Sequence, residues 1–220
     1  MEASEEEGAG EMRPKEFDID PANANLIGFA SNVTGAAFTL TANDSGDFLA
    51  HRVSIRNDSA TDHSGKTVTL VGTDADGHSL TEAVTGPAGT ATVESVGYFL
   101  TLTSATPSAT IGADTFDIGW VDEVRTQSIP TNWRAPVGAR IGVDVTGTID
   151  YTVNETYENV QVQGQSAVQS ASWYPISALA AQTTDIASVA SPGATAIHLV
   201  VNSYTDTAEI QMQVSQPHAD

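Results

Sequence analysis

The sequence predicts an all-β protein: two small antiparallel β-sandwich or barrel-like domains preceded by an extended acidic N-terminal arm. Three observations predict it. Apolar and polar residues alternate with period 2 over short runs, the pattern of half-buried strands. Gly, Asp, Asn and Pro close those runs about every eight to twelve residues, the spacing of strands in sandwiches and barrels. The chain is 40% hydrophobic over 220 residues, enough to bury a core in spite of a formal net charge of −20.

Residues 1–25 read as the arm. Met1 to Asp20 carries eight carboxylates against Arg13 and Lys15, and it lacks the basic start and apolar stretch of a secretory signal. So acidic a segment has too little apolar surface to fold alone. Phe17, Ile19 and Leu26 are its apolar anchors, which makes them candidate contacts with a neighbouring subunit or partner.

Residues 26–122 read as the first β domain. Strands are expected at Ala36–Thr41, Phe48–Ile55, Lys66–Gly72, Ser79–Val84, Thr90–Val96, Tyr98–Thr103, Ala109–Gly112 and Thr115–Val121. Asp74, Asp76 and Gly77 supply the self-bonding side chains and permissive backbone of a hairpin turn. Residues 123–138 collect two prolines and break the alternation, so they read as a connector. Residues 139–220 read as the second β domain, with strands at Arg140–Val145, Thr148–Val153, Glu155–Val162, Trp173–Tyr174, Ala196–Asn202 and Thr207–Val214. The first two could be one strand bent at Gly147. Ser177–Ser191 reads as a long loop.

Charge and motif content exclude several function classes. Eight Lys plus Arg against 28 Asp plus Glu cannot form a phosphate-tracking surface, so nucleic acid is not an expected partner, and an anionic membrane is disfavoured by the same sign. No apolar run approaches the roughly 20 residues that span a bilayer. Cysteine is absent, which removes disulfides and thiolate metal sites. No phosphate loop, HExxH or GxSxG motif occurs, and no enzyme activity, cofactor or metal is expected. The five histidines, His51, His63, His78, His198 and His218, lie far apart in sequence. Asp58, Asp62 and His63 read as a polar loop before a cation site. Glu155 and Glu158 read as solvated charges rather than a glycosidase pair. Trp120 closes a strand and reads as core, whereas Trp133 sits in the connector, where burial is less assured, and is a further candidate contact.

Specific stretches carry a resemblance. Residues 49–112 contain an L-A-H-x-V strand, a T-V-T-L-x-G-T-D-A-D-G hairpin and a T-E-x-V-T-G-P turn; residues 142–160 (GVDVTGTIDYTVNETYENV) and 195–216 (TAIHLVVNSYTDTAEIQMQVSQ) form a companion pattern. Together they resemble structural proteins of tailed-bacteriophage virions, and among them capsid decoration (cement) proteins. The resemblance implies a protein made in the host cytoplasm that binds the major capsid protein on the outer capsid surface as a homo-oligomer, with a trimer favoured. A collar, tail or fibre component is the alternative, and a carbohydrate-binding β domain a more distant one.

Overall fold

A computed structural model of the chain describes residues 15–19, 21–132, 134, 137–160, 171–205 and 207–216. The chain is all-β, and every strand ladder is antiparallel. The strands are β1 (Lys15–Ile19), β2 (Asn25–Val33), β3 (Ala50–Asn57), β4 (Thr67–Thr73), β5 (Ser79–Thr85), β6 (Thr92–Phe99), β7 (Thr101–Pro107) and β8 (Phe116–Arg125). They continue with β9 (Ile129–Pro130), β10 (Arg140–Thr146), β11 (Ile149–Thr156), β12 (Tyr174–Pro175), β13 (Ile186–Val189), β14 (Ala196–Tyr204) and β15 (Glu209–Ser215). Among the described residues the only helical element is a 3-10 turn at Ser177–Leu179.

The described strands form three sheets. The central one has the order β12-β11-β14-β8-β3-β6, with β2 on β8 and β9 on β14. Its β8-β3-β6 part and β2 pack against the outer sheet β5-β4-β7, and Phe29, Val53, Ile55, Leu70, Leu102, Phe116, Ile118 and Trp120 fill the space between. Its β11-β14 part packs against the other outer sheet, β1-β15-β10-β13, around Tyr151, Val153, Ile197, Leu199, Ile141 and Met212. Alternation explains these layers. In β15, Ile210, Met212 and Val214 are buried while the residues between them are partly exposed, so one face of the strand is apolar.

β8 serves both cores. Phe116, Ile118 and Trp120 enter the first, while Val124 enters the second, and β8 bonds to both β3 and β14. The chain passes between sheets at Gly147, which lies between β10 and β11 with φ +83°; a Cβ there would meet the Ala208 Cα at 3.0 Å. The two expected strands around Gly147 are therefore separate, one in an outer sheet and one in the central sheet.

Several elements differ from expectation. Ala36–Thr41 and Ala109–Gly112 are not strands; Phe38 makes only an isolated bridge to Ala105. β2 was not legible because Gly28 interrupts its pattern and its register against β8 slips twice. Gly28 has a packing reason, since a Cβ there would lie 2.1 Å from the Trp120 ring. β13 is a four-residue edge strand in the expected long loop. The connector begins as the end of β8, and Ile129–Pro130 continues as β9 on β14. Of the expected arm, residues 15–19 form β1, paired with β15 along their length, and residues 1–14 lie outside the described residues.

Candidate functional site: a pinned apolar turn and a depression on the central sheet

Phe17 and Ile19 lie in β1 against their own chain. Ile19 is 3% exposed in the second core, and Phe17 packs beside that core half-buried. Leu26 is half-buried in β2, where its backbone crosses Gly119 so closely that a Cβ on Gly119 would come 2.4 Å from Leu26. Trp133 lies outside the described residues. Phe17 and Ile19 thus share one outer sheet, and Leu26 belongs to the central one.

Among the described residues the most exposed large apolar side chain is Phe48, at 93%. The strand expected from Phe48 begins instead at Ala50, and Phe48 stands before it with φ +62°. A bulky residue rarely adopts this left-handed backbone, which costs about 1–2 kcal/mol. Asp47 holds the turn in place. Its Oδ1 accepts hydrogen bonds from Ser45 Oγ (2.6 Å) and Leu49 N (3.0 Å). Its Oδ2 accepts from Ala22 N (2.7 Å) and lies 2.7 Å from His51 Nε2. His51 in turn contacts the Val121 carbonyl at 2.9 Å, which ties the turn to β8. Burial works against the Asp47 charge, but the hydrogen bond and charge of His51, with Ala22 and Ser45, outweigh it and hold the carboxyl at about 2. A four-bond carboxylate thus fixes a turn whose apolar side chain packs into no core. Val96, 81% exposed on the edge strand β6, is held comparably: the Glu82 carboxylate accepts from the Val96 and Gly97 N–H groups at 2.8 Å each. Those donors are then closed to another strand.

A second feature lies on the face of the central sheet turned away from the second core. A depression of about 450 Å³ is lined by Tyr98, Arg125, Asn154, Trp173, His198 and Asn202, among others. Alternation along β14 puts Ile197, Leu199 and Val201 into the core and His198, Val200 and Asn202 here. The Trp173 ring lies 4.0 Å from the His198 ring, centroid to centroid, and the Arg125 guanidinium carbon is 5.4 Å from the Trp173 centroid. Arg125 Nη2 donates to Asp76 Oδ2 (3.1 Å) and Ser128 Oγ (2.9 Å), so its charge is balanced from below.

His198 is 4% exposed. Burial, and then the Arg125 charge, push its pKa well below the usual histidine range, so the ring is neutral at pH 7. Its Nε2 lies 3.2 Å from Asn154 Nδ2 and accepts that amide proton, which leaves the ring proton on Nδ1. His198 Nδ1, Arg125 Nε and Trp173 Nε1 are all buried without a hydrogen-bond partner. Each unmet donor costs roughly 1–3 kcal/mol, which makes three around one depression unusual.

The loops read as possible cation sites have structural partners. Asp74 Oδ1 accepts from Asp76 N and His78 N (2.9 Å each), and Asp76 binds Arg125 and Ser128, so this hairpin tip locks onto the end of β8. His63 is buried between Asp114 (2.8 Å) and Lys66 (2.8 Å). Among the described residues no group of three or more acidic, His or Cys side chains could hold a metal. Glu155 corrects the expectation of solvated charge: it is 5% exposed and accepts from Ser191 N (2.7 Å), Ser191 Oγ (2.5 Å) and Tyr157 Oη (2.9 Å). Trp120 is core, as expected, with its Nε1 donating to the Asn23 carbonyl at 3.0 Å.

No family model matches the chain, and no curated protein matches it.

Sequence reasoning missed both features for one reason. Phe48 and His198 each sit in a strand-like pattern, and only the turn before β3 and the pairing of β14 with β8 and β11 decide what surrounds them.

Proposed function

We propose that the chain is a non-enzymatic structural protein of a tailed-phage virion, a capsid decoration protein that attaches to the outer surface of the major capsid shell and stabilises it. Phe48 carries the reading: an aromatic side chain held in solvent on a strained, charge-pinned turn is an anchor for a partner's pocket. Support also comes from the resemblance of residues 49–112, 142–160 and 195–216 to virion proteins. Attachment through a homo-oligomer, with a trimer favoured, multiplies modest contacts by valence. A surface of net charge −20 favours basic patches on the shell and repels packaged DNA.

The test is cosedimentation of the purified protein with undecorated heads. Saturation in fixed ratio to the capsid protein is expected, with Phe48→Ala binding at least tenfold more weakly while its melting temperature stays unchanged. Binding confined to one ring of copies per particle would move the protein to the collar or tail. Wild-type binding by Phe48→Ala would refute the anchor. Removal of residues 1–14 tests the acidic leader cleanly, because residues 15–25 also hold the fold: Ala22 bonds to Asp47, and Asn23 to Trp120.

A further inference from the structure

We propose that β5 is a docking edge for a second copy of this chain, the two β5 strands pairing antiparallel about a two-fold axis at Ala83. The proposal goes beyond shell attachment and holds whichever virion position the chain occupies. A two-fold contact cannot close a trimer, so on a shell it would join a copy in one oligomer to a copy in the next.

The first observation is an open sheet edge. β5 pairs with β4 alone, over its whole length and without a register shift. Asp74 N donates to the His78 carbonyl at one end of this ladder and Gly86 N to the Lys66 carbonyl at the other, so the even-numbered residues of β5 bond to β4. Thr81, Ala83 and Thr85 therefore turn their backbone N–H and C=O groups outward, and all three are exposed. An edge of this kind is a template for another strand. The other edges among the described strands are poor templates. Glu16 and Asp18 put charges on β1, β2 slips register twice, β13 has four residues, and β9 and β12 have two each. The backbone of β7 bonds to Phe38 and Asn43, and Glu82 takes up the Val96 and Gly97 N–H groups of β6. β5 keeps no proline, no bulge and no charged side chain on its exposed face.

The second observation identifies the occupant. Two chains of net charge −20 repel one another, so they meet most readily where the outward row is uncharged. Such a row also holds nothing that selects a basic or acidic partner strand. Its side chains read the same in both directions about Ala83: Thr81, Ala83, Thr85. Antiparallel pairing there sets Ala83 against its own copy and Thr81 against the copy's Thr85, each pair exchanging both backbone hydrogen bonds. Facing threonines are a favourable cross-strand pair. On the other face Glu82 meets Val84 of the copy, so the two Glu82 carboxylates are not set directly opposite one another, and each stays on its own β6. Val96 adds apolar surface at the same edge. It is 81% exposed and donates its N–H to Glu82 of β5, so a second copy paired with β5 shields it from water.

The test is sedimentation equilibrium of the full chain over a concentration series, with no capsid present. A monomer–dimer equilibrium with a dissociation constant in the micromolar range is expected, since a single strand pair is a small contact. Because the Ala83 N–H points outward, Ala83→Pro loses no bond to β4 and is expected to weaken the dimer by about tenfold or more at an unchanged melting temperature. The chain has no cysteine, so Ala83→Cys gives an independent reading. Residues in such a pair have Cα atoms about 5.5 Å apart, within disulfide reach. Mild oxidation should therefore link Ala83→Cys chains several-fold faster than a control, Ser203→Cys, at an exposed position on β14. A monomer at every concentration, or a dimer that Ala83→Pro leaves unchanged, would overturn the proposal. So would Ala83→Cys chains that link no faster than the control, and this crosslink decides alone if Ala83→Pro lowers the melting temperature.

Discussion

Replacing Asp47 by Asn tests whether a single buried carboxylate holds the turn that displays Phe48. The folded chain lowers the Asp47 carboxyl from 3.8 to about 2, and its side chain is only 6% exposed, so solvent screens the interaction little. A shift of that size corresponds to about 2 kcal/mol of stability at neutral pH. Because the folded value lies below the unfolded one, this contribution is fully present above the unfolded value and is lost as pH falls through the folded one. About half should be gone by pH 3. Asn keeps one acceptor oxygen, but it sets an amide N–H against a donor at Ala22 or His51. The expected cost at pH 7 is therefore roughly 2–3 kcal/mol. Urea titrations of wild type and Asp47→Asn, followed by tryptophan fluorescence at intervals from pH 7 to pH 3, measure it directly. The gap between the two proteins should narrow by about 1 kcal/mol over that range. A gap that is constant with pH, or below about 0.5 kcal/mol at pH 7, would refute the argument.

Three further outcomes follow from other parts of the molecule. Gly28→Ala should lower stability by roughly 1–3 kcal/mol, because its Cβ would fall 2.1 Å from a buried indole; an unchanged melting temperature would mean that the Trp120 ring is free to move. With 28 acidic against 8 basic residues, the melting temperature should rise with added sodium chloride as self-repulsion is screened, and a flat salt dependence would show that repulsion is already balanced locally. His198 is held below its usual range by burial and by Arg125, so its share of stability is complete above pH 6.5. That share declines below pH 6.5 by up to about 1.4 kcal/mol per pH unit, and His198→Gln should lose that dependence in urea titrations over pH 5–7.

The sequence by itself determined the local architecture. In β4, Val68 and Leu70 face inward between half-exposed Thr67, Thr69 and Val71, and in β15 three apolar residues alternate with more exposed ones; the period alone specifies strands there. The turn at Asp74–Gly77 was legible for the same local reason, as Asp74 bonds within four residues of itself and Gly77 takes φ +80°. Tertiary structure decided which strands meet. β8 and β14 are neighbours across some 75 residues of chain, and their pairing brings Arg125 beside His198 and links the two cores through one sheet. Alternation reports that a strand has two faces but not what covers each face, so Glu155 read as solvent-facing when Ser191 and Tyr157 enclose it. Phe48 shows the same limit in reverse. Its apolar side chain predicts burial, yet the long-range bond from Ala22 to Asp47, and the anchoring of His51 to Val121 of β8, fix the turn that leaves it in water.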